Sequence, residues 1–194
     1  ASSAVELSQP DDDLLPGGIQ GLQYPWIGDT DAVAYVASHR PPPDPYGETV
    51  LHLGEGRIIG GPAATTSFDR PDINGLEDIV AAGSNGLYLN NVNVYQHSGS
   101  TAAINDAGTI AFFSSNYGTT GIYTGDGLST PTLYAAATGG TMMGHPDINN
   151  DGMIAYMDRA SGVETVFVGP GHQRVLGATI QLFGSSVAET WFFR

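Results

Sequence analysis

Short apolar runs recur along the chain, each stopped by Gly, Asn, Asp or Ser: AVAYVA at 32–37, IVAAG at 79–83, TIAFFS at 109–114 and MIAYMD at 153–158. Their length of about five residues is that of strands, not helices. They either alternate or stay apolar throughout, the pattern of strands buried on one face or on both. Asn-x-x-Gly stands before two of them. Asn bonds its own backbone in a tight turn, and Gly accepts a positive φ. Asn85-Gly86, Asp126-Gly127 and Asp151-Gly152 are hairpin signals of the same kind.

Three of these stretches are copies of one unit: DINGLEDIVAAG, AINDAGTIAFFS and DINNDGMIAYMD. Their Ile pairs, Ile73/Ile79, Ile104/Ile110 and Ile148/Ile154, are six apart every time. A weaker copy, with Ile27/Val33, lies upstream. Repeats therefore start near 27, 73, 104 and 148. Each is followed by a second apolar run (TVLHLGEG, GLYLNN, GIYTGDG, TVFVGPG) and a third (RIIGG, VNVYQHSG, TLYAAATGG, RVLGATI). Three or four strands in about 45 residues is the size of one propeller blade, and such small sheets must stack to cover their apolar faces. The expected fold is all-β, a small β-propeller-like array of about four blade-like repeats with little or no helix. Residues 1–15 read as a flexible lead-in and 16–194 as a single β-repeat domain. The unit at 73–103 is short by about a dozen residues, so one blade is expected to lack a strand. Ring closure is expected from residues 14–26 pairing with the last strand, ETWFFR; pairing with a second chain, giving an oligomer, is the alternative.

The pattern Ile-Asn-x-x-Gly-x-Ile-Ala-Phe resembles the tandem repeat of bacterial choice-of-anchor surface proteins, with their Asn-x-x-Gly-x-x-Ala-Phe motif. Residues 104–112 carry it through Asn105, Gly108, Ala111 and Phe112, and 148–156 through Asn149, Gly152, Ala155 and Tyr156. The copy at 73 keeps Asn74 but has Glu77 in place of Gly, and the copy at 27 has neither residue. The resemblance spans about residues 16–180. It implies export and a propeller-like fold, and it carries little chemistry. Ile73, Asn74, Ile104, Asn105, Gly108, Ile148, Asn149 and Gly152 are its structural residues.

Composition narrows the partners. Net charge is −14, Lys is absent and the six basic residues are scattered Arg. Nucleic acid needs clustered cations to neutralise phosphate, so it is a poor partner. No run approaches the ~20 apolar residues of a membrane span. Without Cys there are no disulfides, thiolate zinc sites or iron–sulfur clusters. The start ASSAVELSQPDDDLLPGG fits a mature terminus after signal-peptide removal, which points to a periplasmic, extracellular or surface location.

Candidate chemistry is sparse. Asp147, Asn149, Asp151 and Asp158 have the spacing of a calcium (Ca2+) loop, with Asp closing in place of Glu. The strand-like flank MIAYM and Pro146 argue against a helix–loop–helix hand, and the sister copies have Leu76 and Ala107 at the position of Asp151. The loop is therefore first a repeat turn and second a metal site. His39, His52, His97, His145 and His172 lack zinc-motif spacing and read as solvated. The Pro-rich stretch SHRPPPDPYGE (38–48), with Tyr46, reads as a stiff protruding recognition loop between the first two strands of its repeat. Tyr24 and Trp26, with Trp191, Phe192 and Phe193, are candidates for a sugar platform, against the commoner reading of core or closure residues. No nucleophile or phosphate-loop signature is present. The sequence thus reads as a non-enzymatic, exported interaction or scaffolding module, in the manner of an accessory subunit. A lectin-like glycan binder, with or without calcium, is the first alternative and a glycan-cleaving enzyme the second.

Overall fold

The computed structural model describes residues 19–27, 32–39, 48–53, 57–60, 68–90, 92–96, 101–137, 143–160, 163–170, 173–174, 180–182 and 189–191. Among them the chain is all-β: eighteen strands and no helix. Four sheets follow in order, each a four-stranded antiparallel meander. The first comprises β1 (Ile19–Ile27), β2 (Val33–His39), β3 (Glu48–Leu53) and β4 (Arg57–Gly60). The second has β5 (Phe68–Ile73), β6 (Ile79–Gly83), β7 (Gly86–Leu89) and β8 (Val92–Tyr95). The third has β9 (Ala102–Ile104), β10 (Ile110–Ser114), β11 (Gly121–Gly125) and β12 (Thr132–Ala136). The fourth has β13 (Met143–Ile148), β14 (Ile154–Ala160), β15 (Val163–Val168) and β16 (Gln173–Arg174). A two-stranded sheet of β17 (Ile180–Leu182) and β18 (Glu189–Trp191) comes last.

The six-residue Ile spacing has a simple origin. Ile73 pairs with Ile79, Ile104 with Ile110, Ile148 with Ile154 and Ile27 with Val33, each the closing pair of the first hairpin. The repeat motif is therefore a hairpin turn, and each sheet begins upstream of its Ile. This corrects two expectations. The unit at 73 lacks no strand; its shortness lies in brief connections, such as the two-residue turn at Ser84-Asn85. Residues 19–27 are the first strand of the first sheet and pair with β2, while β18 pairs with β17. The Pro-rich loop thus joins the second and third strands of its sheet, and its residues 40–47 lie outside the described residues.

Successive sheets pack face to face through three apolar clusters. Ile73 and Ile79 lie with Ala34, Val36 and Tyr88 between the first and second sheets. Ile104 and Ile110 lie with Val80, Leu87 and Phe112 between the second and third. Ile148 and Ile154 lie with Ala111, Ile122 and Tyr156 between the third and fourth. The three motif Ile residues thus have the same environment. Ile27, their equivalent in the first sheet, is 49 % exposed. The middle sheets bury both faces, which is why β6 reads as an unbroken apolar run rather than an alternation. First strands approach one another in order: β1 with β5, β5 with β9, β9 with β13. Among the described residues the sheets do not close into a ring.

The turn itself is the same in three sheets. The backbone N–H of Glu77, Gly108 and Gly152 donates to the carbonyl of Asn74, Asn105 and Asn149 respectively. Gly108 and Gly152 sit at φ of +75° and +79°, and Glu77 takes φ +63° at the same place. A side chain in that region costs about 1–2 kcal/mol, partly offset by the entropy that Gly adds to the unfolded chain. Glu77→Gly is expected to raise stability by about 1 kcal/mol in urea unfolding; unchanged or lower stability would show that the Glu77 side chain outweighs its strain.

Candidate functional site

The motif Asn residues do two jobs. The side-chain oxygen holds the turn: Asn105 Oδ1 accepts from Thr109 N at 2.9 Å, Asn149 Oδ1 from Met153 N at 2.8 Å, and Asn74 Oδ1 from Leu76 N and Asp78 N. The side-chain amide reaches the next sheet: Asn74 Nδ2 donates to the Asn105 carbonyl at 3.0 Å, and Asn105 Nδ2 to the Asn149 carbonyl at 3.1 Å. Beside this ladder, Asp106 accepts from Gly75 N and from Asn150 Nδ2, and Asn150 Oδ1 accepts from Asp106 N. One residue type thus sets both the hairpin and the spacing of neighbouring sheets.

That spacing brings the first strands round a cavity of about 450 Å³. Its wall is made of the same short stretch from four sheets: Pro25 and Trp26; Arg70, Pro71 and Asp72; Thr101, Ala102 and Ala103; His145, Pro146 and Asp147. A regular strand would turn only alternate residues inward. Here the pairing skips between Gln23 and Trp26, between Asp69 and Asp72 and between Gly144 and Asp147. These bulges aim consecutive residues at the cavity. Pro in the bulge forfeits no ladder bond, having no N–H to donate. Arg70 and His145, each preceding the Pro, are held at φ +32° and +52°, unusual for residues with a side chain.

Asp72 ties three sheets at the cavity wall. It accepts from Ile73 N at 2.9 Å, from Ile104 N at 2.8 Å and from the Trp26 side chain. Burial raises its pKa to about 7; the bond from Ile104 works against that rise, and the nearby Asp147 carboxylate adds to it. Asp147 keeps much of its surface accessible, yet desolvation by the cavity walls still raises its pKa, opposed by a bond from its neighbour Ile148. Opposite them, Arg70 Nη1 lies 3.4 Å from His145 Nδ1. A guanidinium can only donate, so Nδ1 is the acceptor in this contact. Thr101 Oγ1 accepts from His145 N at 3.1 Å and fixes that corner. Trp26 is 47 % exposed.

Of the residues singled out in the sequence, Trp26 and Asp147 meet at this cavity. Tyr24 is in β1, with its side chain outside the described residues, as are Tyr46 and the side chain of Trp191. The acidic-loop residues do not form a ligand shell. Asp158 is fully buried on the β14 face of Ile154 and Tyr156, whereas Asp147 pairs with Ala155 and so belongs to the opposite face. Asn149 spends its oxygen on Met153 N, and Asp151 is exposed at the turn. Among the described residues, no three His, Cys, Asp or Glu side chains gather as metal ligands. Nor is any described helix long and apolar enough to cross a membrane. Arg70, Asp72 and His145 were not singled out. Their signal was x-Pro-x-Ile just upstream of the motif, at 24–27, 70–73 and 145–148. No protein-family model and no curated protein matches the chain.

Proposed function

We propose that the chain is an exported, propeller-like recognition module that takes a short saccharide in the cavity where its first strands meet. The supporting observation is the convergence of the same stretch from four successive sheets, bulged in three of them, on a single cavity, with an indole beside carboxylates, a guanidinium and an imidazole. A volume of about 450 Å³ suits a small ligand, whose pockets span ~300–1,000 Å³. Aromatic faces paired with planar polar groups are what the apolar and hydroxylated faces of a sugar require. Strained, non-Gly backbone at Arg70 and His145 is a cost of about 1–3 kcal/mol each that packing around a binding site sustains.

Cleavage is the second reading, favoured by a carboxyl near pH 7 beside another carboxylate. Binding is preferred because Asp72 is already committed to three donors as a strut. The chain has two Trp, so quenching of indole fluorescence by a panel of neutral and charged oligosaccharides tests the reading. Trp26→Ala is expected to weaken the best ligand roughly tenfold, the weight of one good aromatic contact. A panel without a single binder rejects the reading, and appearance of shortened sugars replaces it with cleavage.

A further inference from the structure

We infer that the saccharide held in this cavity carries a free primary ammonium group, as an amino sugar does, seated between the Trp26 indole and the carboxylates of Asp147 and Asp72. The inference rests on the saccharide reading and narrows it to one chemical class.

The cavity is polar at two levels. Two residues before each motif Ile-preceding position stand Arg70, Thr101 and His145; at the position itself stand Trp26, Asp72, Ala103 and Asp147. The layer between them is Pro25, Pro71, Ala102 and Pro146, which offers no N–H from its prolines. The basic side chains and the carboxyl groups therefore stand at different levels, two residues apart along the chain. The charged and titratable groups on the wall are few. Among its described side chains, β1 contributes none, the indole of Trp26 being neutral. Strand β5 contributes Arg70 and Asp72, β9 none, and β13 His145 and Asp147. The basic pair contact each other at their own level. Among the described residues, no cation on the acidic level faces these two carboxyl groups.

Asp147 has the capacity to take the ligand. One of its acceptor sites serves Ile148, and its exposed side chain lines the cavity. Asp72, with three donors already, lines the seat without bonding the ligand. A hydroxyl would satisfy an oxygen of Asp147 and leave its charge unbalanced. An ammonium supplies charge-assisted bonds, roughly twice as strong as neutral ones, and balances that charge. The indole face of Trp26 favours a cation as well. The net charge of −14 concentrates cations at the surface before they enter.

Short glucosamine oligomers, their N-acetylated counterparts and unmodified glucose oligomers differ at that one group. Titration calorimetry on the full chain at about pH 6.5, below the ordinary range of amino groups, compares them. The free amine is expected to bind one to one and at least tenfold tighter than the acetylated form, with the advantage shrinking as salt rises. Asp147→Asn is expected to abolish most of that advantage while the melting temperature holds, since Asp147 makes one backbone bond. Equal binding of free and acetylated sugars, or an advantage that survives Asp147→Asn, overturns the inference and leaves the saccharide reading standing. Several amines bound per chain, indifferent to Asp147→Asn and lost in salt, overturn it as adsorption to the acidic surface. If none of the three sugar types binds and the Proposed function panel also gives no ligand, both readings fall together.

Discussion

Replacing Asn105 with alanine lowers the unfolding free energy by about 2–4 kcal/mol, the cost of leaving buried polar groups unmet plus a small void. Asn105 is 4 % exposed. Its oxygen accepts from Thr109 N and its amide donates to the Asn149 carbonyl in the next sheet. Alanine removes both at once, and water has little access to replace them. Whole-domain stability is about 5–15 kcal/mol, so the loss is a large fraction of it. Asn105→Asp separates the two jobs. The turn acceptor survives, the donor to the next sheet does not, and a carboxylate oxygen is set against the Asn149 carbonyl. That variant is expected to be no better than alanine at pH 8 and to recover partly at pH 5, where protonation restores a donor. Urea unfolding with an unchanged m-value measures both. Exposed Leu128→Ala serves as the reference and stays within about 0.5 kcal/mol. A loss at Asn105 as small as that at Leu128 would mean that apolar packing alone holds the sheets together.

The same residue shows what a sequence discloses and what it withholds. Asn-x-x-Gly announces a turn because turn chemistry is local: the side chain bonds a backbone group four residues on. The constant Ile spacing announces a repeat because hairpin closure fixes register. Stacking followed from sheets too small to stand alone. The amide of Asn105 instead meets a carbonyl 44 residues away, and no local pattern encodes that. The cavity was hidden for a similar reason. Pro inside an apolar run argues against a strand, and with repeats placed as starting near 27, 73 and 148 the stretches 24–26, 70–72 and 145–147 fell just outside them. The third copy obscured the pattern further by carrying Ala102 and Ala103 where the second and fourth have Pro and Asp. His145 is exposed, as its sequence reading had it, and only its contact with Arg70 on another sheet was out of reach of a local pattern. The acidic loop misled in the opposite direction. Ligand spacing along the chain ignores the pleat, and the pleat sends Asp147 and Asp158 to different faces.

Asp72 makes the chain less stable as pH rises from about 4 to 7, and Asp72→Asn removes that part of the slope. The unfolded carboxyl titrates near 3.8, the ordinary value for Asp, while burial raises the native one to about 7. Between those values the native state holds a proton that the unfolded state has released. Protons bound to the native form favour it, so stability from this group is greatest below about pH 4 and falls as pH climbs. Above about pH 7 both states are ionised and the slope ends. Three pKa units correspond to about 4 kcal/mol, and some solvent contact at Asp72 reduces the expectation to roughly 2–4 kcal/mol. The other carboxylates, Asp147 included, remain in both proteins, so the difference between wild type and variant isolates Asp72. Asn at this position also turns an N–H toward Ile104 N or Trp26, a penalty that does not depend on pH. The variant is therefore expected to start less stable at pH 4 and to gain on the wild type steadily up to pH 7, then run parallel. Denaturant midpoints at half-unit steps of pH give the two curves. Curves parallel throughout would mean that Asp72 ionises like an ordinary surface acid, and the strut joining Trp26, Asp72 and Ile104 would then have to be open to water.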